Sequence, residues 1–67
     1  MKITKKGAEI LSTNRILMLV ALDLDVSFYT VNRWVKENDE RLTQISVLKS
    51  IEKHTNLKPE EVFEFNQ

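Results

Sequence analysis

The segment from Val20 to Trp34 constrains the fold of this chain more than any other. It reads V-A-L-D-L-D-V-S-F-Y-T-V-N-R-W, an order of small, apolar and polar residues that suits two helices crossing at a tight turn. Helices joined by so short a turn approach closely only where a small side chain lies at the crossing, and Ala21 is that residue. Ser27 suits the N-cap of the second helix because its hydroxyl can accept a hydrogen bond from a free backbone N–H.

Six positions of this segment are expected to be buried, because their spacing places them on the inner faces of the two helices. With 42% hydrophobic residues in the chain, such a pattern can arise by chance. The residue identities are therefore stronger evidence than the apolar pattern. They are the small Ala, the capping Ser and the sequence T-V-N-R-W on the second helix. The six expected core residues are Val20, Ala21, Leu24, Val26, Val31 and Trp34.

The run V-S-F-Y-T-V-N-R-W resembles the turn and recognition helix of DNA-binding helix-turn-helix proteins of the small Cro and lambda-repressor type. The stretch L-T-Q-I-S-V-L-K-S-I-E-K-H-T-N-L-K-P-E-E-V-F resembles the closing helices of that family, so the likeness extends over about residues 14–64. One departure is Asp25, which stands where the family usually has Gly. Asp is among the few non-glycine residues that adopt a left-handed backbone at modest cost.

The resemblance implies an all-α fold, a lambda-repressor-like bundle of about five short helices within a single domain over residues 1–67. The helix-turn-helix is expected at about residues 17–36, with its recognition helix at about 28–36. The closing helices are expected at about 43–55 and 59–65.

Capping residues and periodicity predict the other helices. Thr4 can cap a short first helix, in which Gly7 is unfavourable, and Thr13 or Asn14 can cap the second helix. Pro59 suits the first turn of the fifth helix. No strand is expected. The fourth helix, opening at Leu42 and Thr43, is expected to pack through Ile45, Leu48 and Ile51 with Val47 alongside, and the fifth through Val62, Phe63 and Phe65.

Charge is balanced overall but unevenly distributed along the 67 residues. Residues 1–36 contain six Lys or Arg and three acids, whereas residues 37–67 contain four and seven. The first half therefore carries a charge of +3 and the second half −3. This polarity mildly favours a basic face for a polyanion, although a nucleic-acid-binding domain is usually far more basic.

A helix in the major groove reads bases with the side chains opposite its buried face. In the recognition helix, Asn32 carries the amide that can pair with adenine, and Arg33 can pair with guanine or contact phosphate. Two adjacent aromatic residues, Phe28 and Tyr29, precede them. At least one of the two is expected on the surface because adjacent helical residues do not share a face. The base-reading candidates, from spacing and from the resemblance, are Ser27, Phe28, Tyr29, Asn32, Arg33 and Lys36.

Phosphate contacts are expected near the start of the first motif helix, where free backbone N–H groups and positive charge coincide. The candidates are Asn14 and Arg15, with Lys5 and Lys6 adding positive charge, although most lysines are simply solvated. Against this interpretation stands the acidic loop after the recognition helix. Its carboxylates would repel phosphates if they faced the DNA backbone; they belong to Glu37, Asp39 and Glu40.

Nothing in the sequence favours catalysis, a metal site or a cofactor. His54 is the only histidine, cysteine is absent, and no phosphate-binding Gly-rich loop is present. The apolar run at 16–22 is too short to span a bilayer, and Asp23 and Asp25 stand where a signal peptide would have small residues. We therefore expect no enzymatic activity, no membrane partner and a cytoplasmic location, at the nucleoid if the chain binds DNA.

Two functional hypotheses follow. The first is a sequence-specific DNA-binding regulator that acts by occupying an operator in double-stranded DNA. The resemblance implies that such proteins bind as homodimers to two half-sites. The second is a protein-interaction module on the same scaffold, such as an adaptor, antirepressor or antitoxin, that meets a protein partner through Phe28 and Tyr29. The near-neutral charge and the acidic loop favour the second hypothesis.

Overall fold

The all-α prediction is confirmed in the computed structural model, which describes residues 2–65. Within that range the chain forms five α-helices, and a 3₁₀ turn joins the third to the fourth. The helices are α1 (Lys5–Leu11), α2 (Asn14–Leu24), α3 (Phe28–Glu37), α4 (Ile45–Thr55) and α5 (Pro59–Val62); the 3₁₀ turn is Glu40–Thr43, and two short strands are β1 (Lys2–Ile3) and β2 (Phe63–Glu64).

The turn between α2 and α3 has the backbone that the sequence predicts. Asp25 ends α2 in the left-handed conformation, with φ 58° and ψ 42°. The next amide, of Val26, donates to the Ala21 carbonyl oxygen at 3.0 Å, which closes the end of the helix. Ser27 then caps α3, because its hydroxyl accepts a hydrogen bond from the Thr30 amide at 3.1 Å.

The core lies where α2 meets α3 and α4, and Ala21 at the crossing is only 3% exposed. Of the six expected core residues, Leu24 is half-buried against the core. The expected burial of Val26 is wrong, since this side chain is 36% exposed at the outside of the turn. The buried hydrophobic residues are Leu11, Leu17, Val20, Ala21, Val31, Trp34, Leu42, Val47, Ile51, Val62 and Phe63.

The fourth helix begins later than the sequence suggested. Residues 40–43 form a separate 3₁₀ turn, and Gln44 is extended, with φ −62° and ψ 147°, so α4 starts at Ile45. Ile45 itself is 71% exposed, which contradicts its expected burial. The inner face of α4 is formed by Val47, Ser50 and Ile51, with Leu48 half-buried, so it keeps every expected residue of this helix except Ile45 and adds Ser50.

The fifth helix is shorter than expected, and its predicted second half is a strand. α5 ends at Val62, and β2 pairs antiparallel with β1 in the register Lys2↔Glu64 and Ile3↔Phe63. The expectation that the chain has no strand is therefore wrong. The pairing buries Phe63 but leaves Phe65 43% exposed.

Gly7 lies in α1 because the helix approaches the end of α5 too closely for any side chain. A Cβ atom at position 7 would stand 2.9 Å from the carbonyl carbon and from Cγ1 of Val62, and closer still to the Val62 carbonyl oxygen. That same oxygen accepts a hydrogen bond from the Thr4 amide at 2.9 Å. The glycine that looks unfavourable for a helix is thus required by the packing of α1 on α5.

Candidate nucleic-acid interface

Helix α3 has one face fixed in the core and one face in solvent. Val31 and Trp34 are 1% and 7% exposed and hold the inner face. The outer face presents a phenol that is 79% exposed, a half-buried amide and two exposed cations. These outer residues are Tyr29, Asn32, Arg33 and Lys36. We call them the α3 outer face.

Ser27 caps the N-terminus of α3. Besides accepting from the Thr30 amide, its hydroxyl lies 2.9 Å from the Thr30 hydroxyl. The Ser27 hydroxyl is thereby engaged twice within the first turn of the helix. Ser27 is solvent-exposed, but its main role in the structure is to cap the helix.

The aromatic pair at the start of α3 is divided between core and solvent. Phe28 is half-buried and packs against the core, whereas Tyr29 is exposed. Their rings meet edge to face, with centroids 5.6 Å apart and an interplanar angle of 78°. The expectation that at least one of the two lies on the surface is confirmed, and the packing of Phe28 leaves Tyr29 as the aromatic residue presented by α3.

The phosphate-contact candidates occupy two different helices. Asn14 and Arg15 form the exposed first turn of α2, and Lys5 and Lys6 form the exposed first turn of α1, which packs on α2 and α5. Lys6 is partly neutralised, because its ammonium lies 3.8 Å from a carboxylate oxygen of Glu61. Arg15 and Lys5 form no side-chain ion pair among the described residues.

The acidic loop after α3 is only partly available to repel phosphates. The Asp39 carboxylate accepts a hydrogen bond from the Arg41 amide at 2.9 Å and lies 3.5 Å from the Arg41 guanidinium. Its charge is therefore used to cap the 3₁₀ turn and is offset by an adjacent cation. Glu37 and Glu40 are exposed beside it.

Four polar side chains join α2 to α4, a cluster that the sequence analysis did not predict. One carboxylate oxygen of Asp23 accepts a hydrogen bond from the Ser50 hydroxyl at 2.7 Å and lies 2.8 Å from His54 Nε2. The other oxygen lies 3.5 Å from the Lys53 ammonium. We call Asp23, Ser50, Lys53 and His54 the α2–α4 polar cluster.

The partners of Asp23 lower the pKa of its carboxyl group below the ordinary value of 3.8. The hydrogen bond from Ser50 is the largest cause and that from His54 the second, while the positive charges of Lys53 and His54 add to the effect and partial burial opposes it. His54 is thus a partner of Asp23, with a side chain only 17% exposed.

The cluster does not have the geometry of a hydrolytic site. Ser50 is 4% exposed, and Ser50 and His54 share the same Asp23 oxygen, so the imidazole is not placed between the hydroxyl and the carboxylate as a general base would be. Across residues 2–65, no three His, Cys, Asp or Glu side chains lie close enough to hold a metal ion.

A comparison with protein-family models, with curated proteins and with solved structures finds no significant similarity to this chain. The geometry of α2 and α3, together with the residues exposed there, is therefore the basis on which a function can be inferred. None of the described helices is long and apolar enough to cross a membrane.

Proposed function

We propose that this chain is a sequence-specific DNA-binding regulator that inserts α3 into the major groove and acts by occupying its operator. The observation that carries the proposal is the division of α3 into a buried inner face and a polar outer face. The outer face combines an amide, a guanidinium and an ammonium, which are the groups that pair with base edges and phosphates. Helix α3 is held at a fixed angle to α2 by the small Ala21 at the crossing and by the left-handed turn at Asp25.

The roles on the α3 outer face follow from side-chain chemistry. Asn32 would form a bidentate pair with adenine, and Arg33 would pair with guanine or contact phosphate. Tyr29 lies on the first turn of α3, where its ring can contact a thymine methyl group. Lys36, in the last turn, would contact phosphate and so add affinity without sequence preference.

Duplex binding tests this proposal directly. Fluorescence anisotropy of a labelled mixed-sequence duplex would be measured at increasing salt, beginning at about 50 mM, because phosphate contacts give an affinity that falls steeply with salt. Binding that weakens with salt supports the proposal and justifies selecting the operator from random sequence. Absence of binding at the lowest salt would contradict it.

Variants of the α3 outer face test the assigned roles on the selected operator. We expect Arg33→Ala or Asn32→Ala to weaken operator binding roughly 5- to 150-fold, because each variant loses one bidentate contact between a side chain and a base. The helical circular dichroism spectrum should be unchanged. The matched control is Lys58→Ala, which removes an exposed cation at the start of α5 and should leave affinity nearly unchanged. Equal affinities for all three variants would show that another surface reads the DNA.

The exposed phenol of Tyr29 also favours a second candidate function, a protein-interaction module. A side chain that is 79% exposed on a domain with zero formal net charge is a suitable anchor for a protein partner. Because Phe28 packs against the core, Tyr29→Ala is the informative variant. Loss of a captured partner with retained DNA affinity would support this candidate, and loss of duplex affinity alone would support the first.

A further inference from the structure

Helix α2 carries an apolar stripe on the side that faces neither α3 nor α4. Met18 is 59% exposed and Leu22 is 77% exposed. With the half-buried Leu19 and with Arg15, they line an open groove of about 420 Å³. Large apolar side chains exposed together on a small domain are typical of an interaction surface.

The stripe is bounded by opposite charges at its two ends. Arg15 lies in the first turn of α2, and Asp25 ends the helix, ten residues or about 15 Å further along the axis. Neither the guanidinium of Arg15 nor the carboxylate of Asp25 has a hydrogen bond or an ion pair among the described residues. The order along the helix is therefore cation, Met18, Leu22, anion, with spacings of three, four and three.

This order is complementary to itself when reversed. In an antiparallel pair of α2 helices related by a two-fold axis near residue 20, position i faces position 40 − i of the other copy. Met18 then faces Leu22 of the partner subunit, and Arg15 faces Asp25 of the partner subunit. A two-fold interface repeats each contact, so the Met18–Leu22 contact and the Arg15–Asp25 ion pair each occur twice.

We propose that the exposed stripe of α2 is the surface through which two copies of this chain associate as an antiparallel, two-fold symmetric dimer. The charge complementarity of the two ends identifies a second copy as the occupant. The α3 outer face takes no part in the stripe. The proposal is independent of DNA binding, although it gives Arg15 a carboxylate partner in place of the phosphate expected from the sequence.

The size of the surface sets the strength of the dimer. An eleven-residue helix offers less area than the 1,200–2,000 Å² that stable complexes bury. We accordingly expect a weak dimer, since interfaces below this size range belong to transient complexes. Sedimentation equilibrium between about 10 μM and 1 mM covers the transition, and a chain that stays monomeric throughout this range would overturn the proposal.

A matched pair of variants locates the surface. Leu22→Ser removes an exposed apolar side chain from the stripe and should raise the dissociation constant at least about tenfold, because the change is made twice per dimer. Ile45→Ser removes a comparably exposed side chain, 71% against 77%, from the start of α4 and should leave association unchanged. Association that is insensitive to Leu22→Ser, or lost with Ile45→Ser, would place the interface elsewhere.

Charge reversal tests the antiparallel register. Arg15→Glu alone places two carboxylates together at each end of the interface, and Asp25→Arg alone places two guanidinium groups together, so each variant should be monomeric. An equimolar mixture of the two variants restores opposite charges at both ends and should form a heterodimer. If both variants are folded by circular dichroism and the mixture stays monomeric, the register is wrong.

The same variants separate this proposal from the DNA-binding proposal. Leu22→Ser changes no charged or hydrogen-bonding group of the parent chain, so a single chain should keep its salt-dependent affinity for mixed-sequence duplex while its self-association falls. Dimerisation without duplex binding would instead refute the regulator and leave the dimer standing. A monomer that binds duplex would refute only the dimer.

Discussion

Trp34 connects the stability of the domain to the orientation of α3. It is only 7% exposed on the inner face of the helix, so it fixes which side chains point outward. The indole Nε1 is buried with no hydrogen-bond acceptor among the described residues. The ring therefore contributes through its volume and apolar contacts, and an unpaired donor of this kind costs free energy.

We expect Trp34→Ala to reduce the free energy of unfolding by about 3–5 kcal/mol, the usual effect of truncating a buried aromatic residue. That loss is close to the whole stability of a domain of this size. Urea denaturation followed by circular dichroism measures it. Trp34→Phe is the control and should cost much less, because it keeps most of the ring and removes the unpaired N–H. A fully stable Ala variant would mean that the face of α3 has been assigned incorrectly.

Gly7 is the residue whose role sequence reasoning had least chance of finding. Its reason for being glycine lies 55 positions away, at the Val62 carbonyl group, and a single sequence contains no sign of that approach. The role of Asp25, in contrast, was predictable, since a left-handed turn is a local feature that the type of residue indicates.

We expect Gly7→Ala to destabilise the domain by roughly 1–3 kcal/mol, because the added methyl group displaces α5, even though alanine is the better helix former. Thermal unfolding measures the effect. The control is Ala8→Gly at the neighbouring exposed position of α1, which should cost only about 1 kcal/mol through helix propensity. A variant with Ala at position 7 that gains stability would indicate that α1 and α5 are further apart than in this structure.

At the scale of elements, helix starts were predictable where a capping side chain acts locally. Thr4 and Ser27 accept hydrogen bonds from amides three residues ahead, and both helices begin where the sequence placed them. The strand pair was not predictable, because two residues are too few to show an alternating pattern. The start of α4 was misplaced because the 3₁₀ turn brings Leu42 into the core and so imitates an earlier helix start.

The α2–α4 polar cluster was also beyond prediction, since Asp23 is 27 to 31 residues away from its three partners. It explains why a buried serine lies on the inner face of α4. Asp23 on α2 accepts hydrogen bonds from three residues of α4, so the cluster fixes the relative position of two helices that carry five of the eleven buried hydrophobic residues.

The cluster makes stability depend on pH in the acid range. The pKa of Asp23 is lowered in the folded chain, so its carboxylate stabilises the fold above the ordinary pKa of 3.8, and this contribution is lost as pH falls through the lowered value. We expect Asp23→Asn to be less stable than the parent at pH 6, and the difference to shrink below pH 3.8. Urea denaturation across pH 2.5–7 measures this.

The control for that series is Glu52→Gln, which removes an exposed carboxylate from α4 that has no side-chain partner among the described residues. Its stability should follow the parent at every pH. A constant difference between Asp23→Asn and the parent down to pH 2.5 would show that the Asp23 carboxylate does not contribute as an anion.

At the scale of the whole molecule, the fold class was predictable from the sequence, whereas the candidate interaction surfaces were predictable only in part. The hydrophobic periodicity of α2 and α3 indicates which residues face inward. It therefore also predicts that Phe28 or Tyr29 is exposed. Periodicity does not show which exposed residues form one surface. Met18 and Leu22 form a stripe because α3 and α4 cover other sides of α2, and that packing is a tertiary property.

The pairing of β1 with β2 gives the chain a nearly circular path, because positions 2 and 64 are neighbours. A contact that closes so long a loop has a large entropy cost, which is offset by the strand pair, by the packing of α1 on α5 and by the hydrogen bond from the Thr4 amide to the Val62 carbonyl oxygen. This closure is therefore expected to form last during folding and to open first. Helix α2 packs on both α3 and α4 independently of it, so transient opening of the chain ends would leave both α3 and the stripe on α2 in place.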